Sequence, residues 1–210
     1  MQPNLGFVLR WFIEDIGGAL IDPRTLIAVS RVEKRGLGEP LIFVVMFSLA
    51  IAASIPTPMV MLISMFLPFE LATAAYALSL ALGLLAGLVL WLVDTALMYA
   101  ISRLLGGSGS LSEVAAAVGY SYAATWPIAL CGLLSLATGW LTGMFLLMVG
   151  AAVEIVWRWY VLSHALSEAC AYSALRGLLT LVLARIVLLA LPVALGLASI
   201  AVVLGGALWR

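Results

Sequence analysis

AAYALSLALGLLAGLVLWLVDTALMYAISR, residues Ala74–Arg103, carries a single charge, Asp94, before its terminal arginine. As a helix rising about 1.5 Å per residue, this run is longer than the ~30 Å hydrocarbon core of a bilayer. A helix apolar on all sides needs lipid or a large protein core around it. The rest of the chain is similar, with 65% hydrophobic and 10% charged residues among 210 and a mean hydropathy of +1.23. Soluble domains carry about 25% charged residues. The fold class that follows is all-α: an integral, multi-pass membrane protein.

Four further stretches meet the requirement of about 20 apolar residues. They run from Leu41 to Ser64, Ala115 to Leu136, Leu141 to Ser163 and Leu178 to Leu208, making a bundle of five transmembrane helices. In the first, Pro56 and Pro58 remove two backbone donors. The helix there either bends or stops short, leaving Met59 to Leu67 at the surface. The second and fifth exceed one bilayer thickness, so they tilt or project.

Lys and Arg set the orientation. Arg10, Arg24, Arg31, Lys34, Arg35, Arg103 and Arg176 fall on one side and Arg210 on the other. The amino terminus is therefore expected in the cytoplasm and, after an odd number of crossings, the carboxyl terminus outside.

The chain divides into residues 1–36, amphipathic cytoplasmic or interfacial helices, and 37–210, the membrane bundle. Leu5, Val8, Trp11, Phe12, Ile16 and Ala19 recur at helical spacing, away from Arg10, Glu14 and Asp15. The stripe suits the lipid interface, while the acidic polar face suits docking onto the protein's own spans. Asp22 and Pro23 form a helix start, with an acceptor at the N-cap and a proline at the first position. Gly106-Gly107-Ser108-Gly109 reads as a flexible turn, and Ser110 with Glu113 as a capping box opening a helix at Leu111. Thr138-Gly139-Trp140 leaves room only for a tight hairpin.

Asp94, Glu154, Arg158 and Arg185 are the only full charges inside the long apolar runs. Each costs roughly 2.5–3.5 kcal/mol on insertion scales and is usually paired or functional. Asp94 lies nine positions inside Arg103, and Arg185 nine inside Arg176, so both sit about 13 Å along their helices. Glu154 and Arg158, four apart, share a face. The four can form one neutral cluster that fixes helix register, or line a polar cavity or latch; alternatively the two arginines snorkel to the headgroups.

Enzymatic chemistry finds little support. His164 stands beside Ser163, Ser167 and Glu168, but no GxSxG or HExxH sequence accompanies it, and an interfacial histidine explains it. Asp94 has no second membrane aspartate. Cys131 and Cys170 offer neither a CxxC pair nor a metal quartet and read as unpaired thiols, so no catalytic residue, metal or cofactor is assigned. Net charge is zero with scattered basic residues, which argues against nucleic acid. Tyr120, Tyr122, Trp126, Trp140, Trp157, Trp159 and Tyr160 fall near span ends, as an aromatic belt would. Gly83-x-x-x-Gly87 and Gly139-x-x-x-Gly143 permit close helix packing or dimerisation.

The cytoplasmic segment, the five spans, the Gly-Ser-rich second connection, and Val118-Gly119-Tyr120 leading to Trp126-Pro127 together resemble the Yip-domain family over Trp11 to Ala207. In its eukaryotic members a Gly-Tyr pair followed by a proline opens the third span. Here Pro127 stands farther from Tyr120, and only Asp22-Pro23 lies near the place of their Asp-Leu-x-Gly-Pro motif. The missing long tail suggests a prokaryotic member in a plasma membrane. Eukaryotic members interact with small GTPases and act in vesicle budding and membrane organisation. The resemblance thus implies a membrane-organising scaffold with the lipid bilayer, a membrane or cytoplasmic protein, or a second copy as partner. The charged layer leaves open a small transporter or channel-like protein.

Overall fold

The computed structural model describes residues 5–33, 35–66 and 68–190, and for residues 5–12, Met61 and Ile63 the backbone alone. The described residues form helices and turns. Asp22 separates α1 (Leu5–Ile21) from α2 (Pro23–Val32), its carboxylate accepting from the Thr25 amide at 3.3 Å and the Thr25 hydroxyl at 2.6 Å. Of the apolar stripe on α1, Ile16 and Ala19 pack into the protein's own core; Leu5, Val8, Trp11 and Phe12 lie outside the described side chains.

α3 (Gly38–Ser54) and α4 (Thr57–Ile63) form the first span, broken at Ile55-Pro56. Around the break the Thr57 hydroxyl and the Tyr76 phenol both donate to the Ala53 carbonyl, and the Ser54 hydroxyl donates to Ala50. These hydroxyls bond carbonyls beside the break, while the carbonyls whose amide donors the prolines remove are those of Ala52 and Ser54, four residues earlier. α5 (Phe69–Leu104) is the long second span. The third is composite: α6 (Leu111–Tyr120), a 3-10 turn over Ser121–Thr125, then α7 (Trp126–Thr138) with Pro127 in its first turn. α8 (Trp140–Ala169) follows a one-residue hairpin at Gly139, whose φ of 83° favours glycine.

By length and apolarity four helical stretches qualify to cross a membrane among the described residues: Gly38–Val60, Phe69–Leu104, Leu111–Thr138 and Trp140–Ala169. Of the expected fifth span, residues 174–190 are helical and are labelled α9; the remainder lies outside the described residues.

The third span is central, with 72% of its most apolar stretch buried against 6% for the second. Small residues set the spacing around it. On α5, Gly83 faces Ala52 and Gly87 faces Ser48 of α3, so this pair packs within the chain. Gly132 of α7 faces Ser54, and Gly143 of α8 faces Ser135 and Pro58. α9 crosses α8 where Gly177 meets the Ser163 carbonyl.

The start of α3, the end of α5, the start of α6, the end of α8 and the start of α9 meet at one end of the bundle. Arg31, Arg35, Arg103 and Arg176 belong to this basic end. The Gly106–Gly109 connection, expected to be flexible, is pinned there. The Gly107 and Ser108 amides donate to the Ser102 and Cys170 carbonyls, and Gly109 lies against the Ala169 carbonyl too closely for a Cβ. Ser110 makes both halves of the capping box with Glu113.

Candidate functional site

On α5, Asp94 occupies the buried face shared by Trp91, Met98 and Ile101, at the three-and-four spacing that turns a stripe inward. Arg185 of α9 reaches it with both terminal nitrogens, Nη1 to Oδ1 at 2.7 Å and Nη2 to Oδ2 at 2.8 Å. This parallel pair is the strongest arginine–carboxylate geometry. On α8, Arg158 Nη1 lies 3.5 Å from Glu154 Oε1, one turn away, and its Nη2 lies 3.8 Å from Asp94 Oδ2. All four side chains therefore meet, with Asp94 only 4% exposed. Two acids balance two bases, which removes the largest cost of burying any one of them.

The arginines do not extend to the bundle end, so the structure takes the cluster in place of snorkelling. A fifth participant escaped the sequence reading. The Arg158 guanidinium stacks 4.5 Å over the Tyr122 ring, while the Tyr122 hydroxyl donates to the Gly87 carbonyl at 3.0 Å. Arg158 Nε and Nη2 are buried without a hydrogen-bond partner, so ring and carboxylate fields carry much of their stabilisation. A cavity of about 220 Å³ adjoins the cluster, bounded by Asp94, Tyr122, Glu154, Arg158 and Arg185. A mainly apolar cleft of about 390 Å³ between α3 and α5 shares Leu90, Tyr122 and Arg158 with it.

Tyr120 and Tyr122 are buried, 1% and 3% exposed, which corrects their placement in an interfacial belt. The Tyr120 hydroxyl donates to Glu39 Oε2 at 2.7 Å, and its ring meets Phe43 edge-on at 5.2 Å. Beside it, Gly119 passes Pro40 with no room for a Cβ. The Gly119-Tyr120 pair thus seats α6 on the first turn of α3. Pro127 supplies a carbonyl that Gly150 of α8 approaches closely.

The basic end is stitched by two more arginines that the sequence reading used only for orientation. Arg35 donates to both Asp15 oxygens and to Glu39, each at 3.1 Å, and to Glu33 at 2.6 Å. Arg31 Nε donates to Glu113 at 2.6 Å, and its Nη2 to the Glu168 and Ala169 carbonyls. Together they tie α1 and α2 to α3, α6 and α8. Burial pushes the Asp15 carboxyl above its ordinary value, and Arg35 pulls it only part of the way back. For Arg35, burial works against the charge, but bonds from Glu33 and Asp15 outweigh it and raise its pKa. Asp22 is held below the usual carboxylate value by the Thr25 hydroxyl and amide.

His164 Nδ1 lies 3.0 Å from the Tyr160 carbonyl and 3.3 Å from the Ser163 hydroxyl, which donates to that same carbonyl, and its ring meets the tilted Tyr160 ring at 4.5 Å. Both cysteines are unpaired thiols.

A protein-family model described as the Yip1 domain matches residues 17–208. No curated protein and no solved structure matches the chain.

Proposed function

The chain belongs to the Yip1-domain family, and on that premise we propose that it is a non-enzymatic organiser of the membrane, scaffolding lipids and partner proteins. In this reading the basic end faces the cytoplasm of a prokaryotic cell, with the protein in the plasma membrane, its amino terminus inside and its carboxyl terminus outside. The partners are the bilayer, a membrane or cytoplasmic protein, or a second copy of the chain.

The observation that carries this reading is the closure of the charged layer on itself. Asp94 is held by Arg185 on two short bonds, and Glu154 lies against Arg158, so each acid has a base. A layer that is neutral and internally paired acts as a lock among α5, α8 and α9. It leaves no lone carboxylate for an ion to neutralise. The competing reading is a small transporter, favoured by the cavity of about 220 Å³ beside the same charges.

Proteoliposomes distinguish the two. The organising reading predicts no cation or anion flux above that of empty vesicles. It also predicts altered vesicle size and shape that persists when Asp94→Asn and Arg185→Gln are combined. Flux that disappears in Asp94→Asn alone would establish transport and overturn the organising role.

A further inference from the structure

Two cavities meet at the basic end. One, about 440 Å³, is bounded by Ser30, Arg31, Ser110, Ser112, Glu113 and Arg35, the last already engaged by Asp15, Glu33 and Glu39. The other, about 500 Å³, is an apolar groove between α5 and α6 bounded by Trp91, Leu92, Thr95, Leu111 and Ala115. Leu37, Ser110 and Ser112 belong to both, so the charged chamber and the groove adjoin along these residues. Leu92 and Leu111 are 60% and 52% exposed, which opens the groove to the surroundings of the spans.

The dimensions match one leaflet. Thr95 and Trp91 lie nine and thirteen residues from Leu104, hence roughly 14 and 20 Å along α5, against about 15 Å for half a hydrocarbon core.

The chemistry of the chamber has two signs. Arg31 is 40% exposed, and its Nη1 makes only a 3.5 Å contact with Glu168, leaving donor capacity. Beside it are the Ser112 hydroxyl and the first-turn amides of Leu111 and Ser112, which have no intrahelical acceptor, at the positive end of α6. Together they suit a phosphate. Glu113 and Glu168 stand on either side of Arg31, so a bare anion would be repelled as well as attracted. A phosphate carrying its own ammonium meets both signs. Glu168 stands just outside the chamber's lining, its carboxylate holding only that 3.5 Å contact with Arg31, and can take the ammonium there.

We propose that this two-part site binds a phospholipid whose headgroup joins a phosphate to a primary ammonium, with one acyl chain in the α5–α6 groove. The proposal rests on the reading of the protein as an organiser of lipids and supplies the lipid class.

The test uses the full chain in nanodiscs containing phosphatidylethanolamine, phosphatidylcholine or phosphatidylglycerol with brominated chains, which quench nearby tryptophans. Phosphatidylethanolamine should quench at about tenfold lower mole fraction than the other two, and Trp91→Phe should lose that selective component. Ser112→Asp, on an exposed first turn that tolerates an acid, should abolish the preference while leaving the unfolding temperature unchanged. Equal quenching by all three lipids, or selectivity that survives Ser112→Asp, overturns the site. A preference for phosphatidylglycerol overturns the ammonium half and with it the proposal. Selective binding without any effect on vesicle shape would instead overturn the organising role and leave the site standing.

Discussion

Asp22 and Asp15 sit seven residues apart and respond to pH in opposite senses. The Thr25 hydroxyl and amide stabilise ionised Asp22, so its folded pKa lies below the ordinary 3.8. Its contribution is complete above pH 3.8 and is lost as pH falls through the lower folded value. Burial raises Asp15 above 3.8, so its contribution is complete below that pH and declines as pH rises through the raised value. Replacing Asp22 by Asn should therefore remove part of the acid-induced loss of helicity below pH 3.8, followed by circular dichroism. An acid limb identical to that of the unaltered protein would remove Asp22 as an ionised cap. The cap itself was legible in the sequence because its partners are three residues apart, and so was the Ser110–Glu113 box. The Tyr120–Glu39 and Arg35–Asp15 bonds were not, because charges near the bundle end are too numerous for any one pairing to stand out. Asp94 and Arg185 are 91 residues apart, yet rarity made their meeting foreseeable: few other ions share their depth.

Elements in this protein are spaced by glycine facing small residues. The hydrophobic effect gives little reason for helices to associate in lipid, so close van der Waals contact and polar bonds must do so. Gly87 is the tightest case between α3 and α5, since an added Cβ would collide with both the Oγ and the Cβ of Ser48. Gly87→Ala should cost about 1–3 kcal/mol, measured as a lowered unfolding midpoint in detergent. An unchanged midpoint would mean that the two helices stand farther apart than described. The glycine spacing was visible in the sequence, but whether it joined helices of one chain or of two was not. That depends on the rotation of α5, which Ser48 and Ala52 reveal only once α3 is placed. The composite third span was hidden for a related reason. Ser121–Thr125 is apolar enough to read as one helix with its neighbours, and the 3-10 turn lies in a segment buried throughout, just before Pro127.

The whole molecule brings the Ser108 connection and the Thr138 turn to opposite ends of the bundle. With Cys131 and Cys170 replaced by alanine, a cysteine at Ser108 should react with a membrane-impermeant maleimide only after the cell is opened. A cysteine at Thr138 should react in intact cells. Reaction of both from the same side would contradict the alternating crossings and the orientation taken from Lys and Arg. Composition alone made the membrane class legible, and the apolar runs located the four described spans; the path through the first needed the break at Ile55-Pro56 to show where α3 ends and α4 begins.

The charged layer joins these scales, because single residues on three helices hold the bundle together. The most direct measurement is a double-mutant cycle on Asp94→Asn and Arg185→Gln, scored by unfolding free energy in bilayers or detergent. Each single change leaves a buried charge unmatched and should cost about 3–5 kcal/mol. The double variant should recover about 1–3 kcal/mol of the summed loss. Additivity within about 0.5 kcal/mol would mean that the two ions do not meet, and would contradict the lock.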